Sequence, residues 1–457
     1  MPPVQPNTAL ATCLAELSWS PRTLARRINA TYGAGTISES APYHWRDQGR
    51  VPHPPVSAYA AEVLSEALGR AVDVGELWNG RAAATPTMSP SEYWTAADWL
   101  RHVRLDGPPV RGDELPGVAW RYLRLRSRPV DRAPIGTCCA PVTPLDGGLE
   151  TLVGQVEHTV QALREAAGTS ASTEALRFVA AHYQAVHQLL RDGPSAGAVV
   201  RLSRALAELC QLAGWLAADA GRREESQRYL LVGLRAAHEA GDRRLVAHIL
   251  RDLSANVTGA GRLTDAVSVG EAAVHAASGT LATRAFAAGQ LAWAYAQIGD
   301  ADRALRASDQ AGELVRELHG AEPAWVEGVA TAVDGPMAGR MYIRLAQHEL
   351  IRGRRVRGRD LLRRGIDLIG THALSGPEAP GQRGALYEGI FLTRAYAIGG
   401  ELERACEVGR IAVERLSRVR SPASVEMLRE LYREMRRGRH RNLHVRQFLA
   451  ELETALR

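Results

Sequence analysis

Two stretches of this chain follow the same pattern, and that repetition is what most limits how it can fold. LAWAYAQIGDADRALRASDQA begins at Leu291, and LTRAYAIGGELERACEVGRIA begins at Leu392. Each places an aromatic residue four positions before a glycine, Tyr295 before Gly299 in the first copy, and small residues after it. Small residues let two helices approach closely, and glycine readily adopts the left-handed conformation of a tight turn. The pattern therefore predicts pairs of antiparallel helices.

Weaker copies turn at Gly221, Gly261 and Gly353. Together with Gly299 and Gly400 they space the turns 40, 38, 54 and 47 residues apart. The repeats resemble tetratricopeptide repeats over roughly residues 200–420, although the spacing exceeds the usual period of about 34 residues. The longer spacing predicts longer helices or inserts. The resemblance implies an all-α solenoid over residues 151–457, with a concave surface built from the first helix of each pair.

Composition supports a helical, intracellular protein. The 457 residues include no lysine, so all 56 basic residues are arginine, and only 5% are aromatic. Cys13, Cys210 and Cys406 lie in helical patterns and are predicted to be core thiols, whereas Cys138 and Cys139 are adjacent in a proline-rich stretch. We see no leader pattern and no apolar stretch long enough to span a membrane. We expect a cytoplasmic protein with reduced thiols and no membrane partner.

Residues 1–80 form a distinct N-terminal module of short helical segments. In SPRTLARRINATYG, Ser20 can cap a helix whose first turn contains Pro21. In the following SAPYHWRDQGRVPHPP, Ser40 is the expected N-cap, Trp45 the buried anchor and Gly49 the left-handed stop. VSAYAAEVLSEALGR predicts a fourth helix, and Asp73 is expected to cap a short fifth one.

A short helix held by one large apolar residue and closed by Gly-x-x-Pro is typical of a helix-turn-helix. Such a recognition helix exposes its N-terminal side chains to base edges. The predicted DNA-binding residues comprise base-reading side chains on this helix and nearby arginines that hold phosphates: Arg22, Arg27, Ser40, Tyr43, His44, Arg46 and Arg50.

The segment resembles Xre/Cro-type helix-turn-helix regulators, and more closely those of actinobacteria with an S/T-A-x-x-H-W…G…P…PP motif. This chain has Ser40-Ala41-Pro42-Tyr43-His44-Trp45, then Gly49 and Pro52, over about its first 80 residues. Pro42 departs from the small aliphatic residue usual there and fits only in a first helical turn. The resemblance implies binding to double-stranded DNA.

Charge leaves two interpretations open. Residues 1–80 carry six arginines against seven acidic residues, but residues 20–55 have a net charge of +3. The local excess favours DNA binding, whereas the neutral total also suits a module that docks a protein or has lost DNA binding. The overall charge of +6 identifies no polyanionic partner.

The remaining motifs indicate no catalysis. Residues 81–150 are predicted to be a proline-rich linker with one helix in SPSEYWTAADWLRHVRL. We find no phosphate loop, dinucleotide motif or nucleophile elbow, so we expect no enzyme, catalytic residue or cofactor. His440 and His444 are four residues apart, but neighbouring arginines disfavour a metal. The basic run IRGRRVRGRDLLRR is expected to be a solvated helix face rather than a nucleic-acid or acidic-peptide contact.

The domain combination resembles peptide-responsive quorum-sensing regulators and actinobacterial regulators of development and antibiotic production. It implies a homodimeric transcriptional regulator whose repeats bind a peptide, a small effector or a protein partner. The alternative is a repeat scaffold that docks a partner without binding DNA. With first helices facing inward, the predicted ligand-binding residues line one concave surface: His248, Arg251, Gln290, Trp293, Arg344, Gln347 and Arg394.

Overall fold

A computed structural model describes most of the chain. The described residues are 6–32, 37–52, 56–68, 70, 72, 74–78, 115, 119, 147–167, 172–191, 196–277, 281–318, 332–379, 381–439 and 442–456. The chain divides into two compact units, Met1–Trp99 and Leu100–Arg457. Nearly all of the predicted linker, the Cys138–Cys139 pair, Asp73 and His440 lie outside the described residues.

The first unit, here called the head, is a cluster of short helices. They are α1 (Thr8–Glu16), α2 (Pro21–Tyr32), α3 (Ala41–Gln48), α4 (Val56–Leu68) and α5 (Val74–Leu77). Their apolar faces form one core that includes Leu10, Leu24 and Ile28. Ser20 caps α2 by accepting a hydrogen bond from the Thr23 amide at 3.1 Å. Each predicted head helix is therefore present in the described residues.

One predicted cap is wrong. Ser40 precedes α3, but its side chain accepts no capping hydrogen bond, and its backbone is already helical with φ −86° and ψ −17°. A capping serine needs an extended backbone to turn its hydroxyl towards the first free amides. Instead the Ser40 hydroxyl lies 3.2 Å from that of Ser38. The stop at the other end is as predicted, because Gly49 has φ +60°.

The described helices of the second unit continue the chain as antiparallel pairs. They are α6 (Gly147–Ala167), α7 (Ser172–Arg191), α8 (Ala196–Asp219), α9 (Arg223–Glu239), α10 (Arg243–Gly259), α11 (Leu263–Ala276), α12 (Leu281–Gln297), α13 (Ala301–Arg316), α14 (Ala338–Ile351), α15 (Arg355–Ala373), α16 (Gln382–Gly399), α17 (Leu402–Val419), α18 (Pro422–Arg439) and α19 (Leu443–Ala455). A π-helical turn containing Pro336 leads into α14. The predicted all-α, solenoid-like architecture is confirmed.

The five turn glycines lie where the repeat pattern predicted. Gly221, Gly261, Gly299, Gly353 and Gly400 all have φ between +73° and +88°, and each joins the two helices of one hairpin. Tyr295 packs between hairpins and donates a hydrogen bond to Glu271 of the preceding hairpin at 2.6 Å. The long spacing between turns arises from helices of up to 19 residues and from the segment between α13 and α14.

Close helix approach depends on glycine at one hairpin. A Cβ atom on Gly365 of α15 would lie 2.8 Å from the Gly339 carbonyl oxygen of α14. That distance is shorter than carbon and oxygen tolerate without movement of the backbone. The pair lets α14 and α15 pack backbone to backbone, which fixes the start of α14 and therefore the direction of its inward face.

The repeat unit closes on itself. Asp219, at the end of α8, accepts a hydrogen bond from the Ser421 hydroxyl at 2.8 Å and forms an ion pair with Arg383 of α16. The Arg383 guanidinium also lies 5.5 Å from the Trp215 ring centroid. These contacts join residues up to 202 positions apart. They bring the end of α8 against α16 and the start of α18.

Two further expectations can be compared with the described residues. Cys13, Cys210 and Cys406 are buried thiols without disulfides, as predicted. Among the described residues, no helix is long and apolar enough to cross a bilayer.

Candidate functional sites

The α3 helix of the head buries one face and exposes the other. Pro42 and Trp45 are buried, and the Trp45 ring meets that of Trp78 edge to face at 5.8 Å. Ser40, Tyr43 and His44 are exposed, as a recognition helix requires. The pattern follows from helical geometry, since residues three positions apart share a face.

Two asparagines hold α3 in place. The Asn29 side chain of α2 accepts a hydrogen bond from the Ile37 amide and donates one to the Ile37 carbonyl, both at 2.9 Å. These two bonds fix the chain segment that leads into α3. Asn7 caps α1, donates its side-chain amide to the Leu77 carbonyl at 2.8 Å, and donates its backbone N–H to the Arg46 carbonyl at 2.8 Å. Side chains that satisfy buried backbone groups in this way orient the helix as well as packing it.

Two of the predicted DNA-contact arginines, Arg22 and Arg46, are engaged within the head. Arg22 and Arg26 form ion pairs with Glu39 at 2.5 and 3.3 Å, and hydrogen bonds from both lower the Glu39 pKa. Arg46 is half-buried and pairs with Asp47 through two hydrogen bonds, at 2.7 and 3.0 Å.

The other two predicted phosphate contacts, Arg27 and Arg50, are exposed, and the Arg27 guanidinium lies 5.5 Å from the Trp19 ring centroid. Glu39 places the first turns of α2 beside the start of α3. Sequence reasoning counted Glu39 only as a charge and missed this role.

In the repeat unit, the predicted ligand residues have different surroundings. His248 and Arg251 belong to a buried network on α10. Arg251 forms an ion pair with Asp252, and the Arg251 guanidinium stacks 3.9 Å from the Phe286 ring centroid. Asp252 also accepts a hydrogen bond from the Gln211 side chain at 2.5 Å. Burial and the nearby arginine hold the His248 pKa well below its usual value, so this histidine is neutral.

His248 and Arg251 are therefore largely buried, with side chains 12% and 15% exposed. Both contact Phe286 of α12, and their role in ligand binding stays a prediction. Gln290 is also buried, at 7% exposure, and its Nε2 atom has no partner among the described residues.

Trp293 belongs to an aromatic ladder that the sequence reasoning missed. Its ring meets Phe391 of α16 edge to face at 5.7 Å, and Phe391 lies 5.2 Å from Tyr387. The Arg340 guanidinium lies 4.9 Å from the Tyr387 ring centroid. Tyr387, Phe391 and the predicted Arg394 are spaced by four and three residues, so helical periodicity could have placed the two aromatics on the inward face of α16.

Beside the ladder lies a buried carboxyl group. Glu388 is 3% exposed and accepts a hydrogen bond from Arg340 at 3.0 Å, while its Oε2 atom has no partner among the described residues. Burial raises the pKa of Glu388 to about 7, and Arg340 offsets only part of the increase. The group therefore changes charge close to neutral pH.

This titration gives a testable pH dependence. Because the folded pKa of about 7 exceeds the usual 4.5, the folded state binds more protons between those values, and stability falls as pH rises through them. A shift of this size corresponds to about 3 kcal/mol. Urea unfolding should show that Glu388→Gln gains about that much stability relative to wild type between pH 4.5 and 7.5.

The matched control is Glu403→Gln, which alters a carboxylate that is 71% exposed. Its stability difference from wild type should stay nearly constant across the same pH range. If the Glu388→Gln difference were equally flat, the buried carboxyl group would not titrate near neutrality.

The remaining predicted residues, Arg344, Gln347 and Arg394, do meet in one place. They line a cleft of about 410 Å³ between α14, α16 and α18. The Arg344 Nη1 donates to the Gln347 side-chain oxygen at 3.0 Å, and the Arg394 Nε donates to Glu434 at 2.9 Å. The last hairpin that resembles a repeat in the sequence ends before α18, so the contribution of α18 and Glu434 was not predicted.

Comparisons with known proteins address the head most directly. Residues 10–77 match the family described as the SP15 N-terminal domain. No curated protein gives a significant match. A crystal structure of BtubC (BKLC) from P. vanneervenii matches with 16% identity and a TM-score of 0.34, covering 60% of this chain and 92% of that chain. The N-terminal module of this protein is thus similar to SP15 N-terminal domains.

Proposed function

We propose that this protein is a sequence-specific DNA-binding transcriptional regulator of the helix-turn-helix type, with a repeat unit that binds an effector. The observation that carries the proposal is the division of α3 between a buried side, at Pro42 and Trp45, and an exposed side, at Tyr43 and His44. An exposed N-terminal half on a rigidly held helix is the arrangement that reads base edges in the major groove.

The charges around α3 support the same function. Glu39 holds Arg22 and Arg26 beside the N-terminal end of α3. Exposed ion pairs contribute little stability, so a phosphate can replace Glu39 as the partner of these arginines at small cost. Double-stranded DNA would then compete directly with an internal carboxylate.

This competition makes Glu39 an informative position. We expect Glu39→Gln to increase affinity for all DNA sequences, because it removes a competing charge beside two phosphate-binding side chains. We expect Arg22→Ala and Arg50→Ala to lower affinity equally for all DNA sequences. For each variant, the slope of the logarithm of the binding constant against the logarithm of the salt concentration should decrease in magnitude by about one. Fluorescence anisotropy at several salt concentrations, on a site obtained by genomic-fragment selection, measures these effects.

Sequence discrimination should depend on Arg46 and its neighbours. Arg46→Ala is expected to cost about 1–3 kcal/mol on the selected site and little on random DNA. Arg70→Ala is the control, since Arg70 pairs with Glu16 elsewhere in the head. Equal losses for Arg46→Ala on both kinds of DNA would show that Arg46 does not read bases.

The alternative is a repeat scaffold whose head docks a protein. The engagement of Arg22, Arg26 and Arg46 with Glu39 and Asp47 favours it, because these pairs reduce the positive charge offered to DNA. Genomic-fragment selection with the purified full chain separates the two functions. Enrichment of a defined site supports the regulator, and recovery of random fragments alone supports the scaffold.

We further propose a homodimer, because a single small head contacts only one half-site and two linked heads gain affinity through effective concentration. The association surface is proposed to lie in the repeat unit, because the head is too small to supply much area. Light scattering at micromolar concentration should give twice the 49.5 kDa chain mass. A monomer with full DNA affinity would contradict the dimer.

A further inference from the structure

The cleft between α14, α16 and α18 contains two arginines in different electrostatic situations. Arg394 is balanced, since Glu434 lies 2.9 Å and Glu430 lies 3.8 Å from its guanidinium. Arg344 forms no ion pair among the described residues, and its one hydrogen bond goes to the neutral Gln347. Its Nε–H group is buried and has no acceptor there.

The position of Arg344 is costly without an anion. Burial lowers the pKa of the half-buried Arg344, the nearby Arg394 lowers it further, and Glu434 offsets part of this decrease. A guanidinium withdrawn from water needs a charged partner to recover its hydration, and a carboxylate matches its planar pair of donors. The unused Nε–H of Arg344 is one of those donors. Arg344 is therefore the arginine of this cleft that no carboxylate contacts among the described residues.

The rest of the cleft is apolar. Leu431 and Met435 of α18 form its buried wall, and Leu350 and Ile398 complete the sides. At the rim Ile351 is 84% exposed, an unusual state for an isoleucine next to a cavity. A ligand with an apolar body would cover Ile351 while its charged end reached Arg344.

We propose that this cleft binds a small apolar monocarboxylate, with its carboxylate on Arg344 and its hydrocarbon body against the α18 wall. This names the ligand class of the effector site and rests on the sensor role proposed above. An arginine that no carboxylate contacts, with Glu434 nearby, matches a monoanion better than a phosphate dianion. The volume of about 410 Å³ falls near the lower end of the range for small-molecule sites.

Isothermal titration calorimetry on the full chain without DNA tests the binding, with octanoate as the probe. Octanamide has the same shape without the charge and should bind at least tenfold more weakly. Inorganic phosphate should not bind. Trileucine, a peptide with a free carboxylate, distinguishes a peptide ligand from a small-molecule ligand. If trileucine bound and octanoate did not, the small-molecule proposal would be overturned in favour of a peptide.

Variants locate the site. Arg344→Gln and the cleft-filling Ile398→Trp should each weaken octanoate binding at least tenfold. Arg363→Gln is the matched control, because Arg363 is 71% exposed on α15 and should leave binding unchanged. Arg344→Lys keeps the charge and should bind better than Arg344→Gln. Equal octanoate affinity of wild type and Arg344→Gln, or no binding to wild type, would overturn the proposal.

These experiments distinguish a failure of the ligand proposal from a failure of the proposed function. If a variant is poorly folded by circular dichroism, the comparison of octanoate with octanamide on wild type still decides whether a charge is recognised. If octanoate bound without changing the DNA affinity, the cleft would be a carboxylate site, but its ligand would not be the effector. DNA binding without octanoate binding would leave the regulator intact and overturn the ligand.

Discussion

Replacing Trp45 by alanine should unfold the head while the repeat unit stays folded. Trp45 is 6% exposed and packs edge to face on Trp78, which is itself 1% exposed and donates its ring N–H to the Ser57 carbonyl at 3.0 Å. Removing a buried aromatic side chain costs on the order of 3–5 kcal/mol. A module this small has little more stability than that to lose.

Hydrogen exchange on the full chain measures this effect by region. Amides of α1 to α5 should lose protection in Trp45→Ala, and those of α8 to α19 should keep it. Tyr43→Ala is the control, since Tyr43 lies on the same helix but is exposed, and it should change stability by no more than about 0.5 kcal/mol. Full protection of the head in Trp45→Ala would contradict the packing described here.

The second large effect concerns closure of the repeat unit. Asp219→Ala should destabilise it by about 3–5 kcal/mol, because the substitution breaks an ion pair in which the Arg383 side chain is 8% exposed. Ser421 loses its hydrogen-bond acceptor in the same variant. We expect lower thermal stability and a larger radius of gyration by small-angle X-ray scattering, as the first and last helices separate.

Asp360→Ala provides the comparison, because Asp360 is 62% exposed and pairs with an exposed arginine. Its melting temperature and radius should match those of wild type. If Asp219→Ala behaved in the same way, the contact between α8 and the α16–α18 region would contribute little to closure, and the interior could open freely to ligands.

Local features of the fold were readable from the sequence. Turn glycines with positive φ, small residues between paired helices and the buried side of α3 depend on residues a few positions apart. The basic run from Ile351 to Arg364 also lies as expected on an exposed turn and the following helix. Three of its arginines cluster at 3.3–3.8 Å around the buried Glu349, a detail that the run alone did not indicate.

The predicted ligand residues show which properties the sequence determined and which the tertiary structure decided. Helical period and turn position correctly assigned all seven to the first helices of hairpins, since both are local properties of the backbone. Their exposure was decided by packing between hairpins, some of them distant in the sequence, as where Asp219 meets Arg383, 164 residues away. Neighbouring helices surround His248 and Arg251, whereas Arg344 faces a cleft completed by α18, because the distance between side chains on different hairpins depends on the packing of the whole repeat unit.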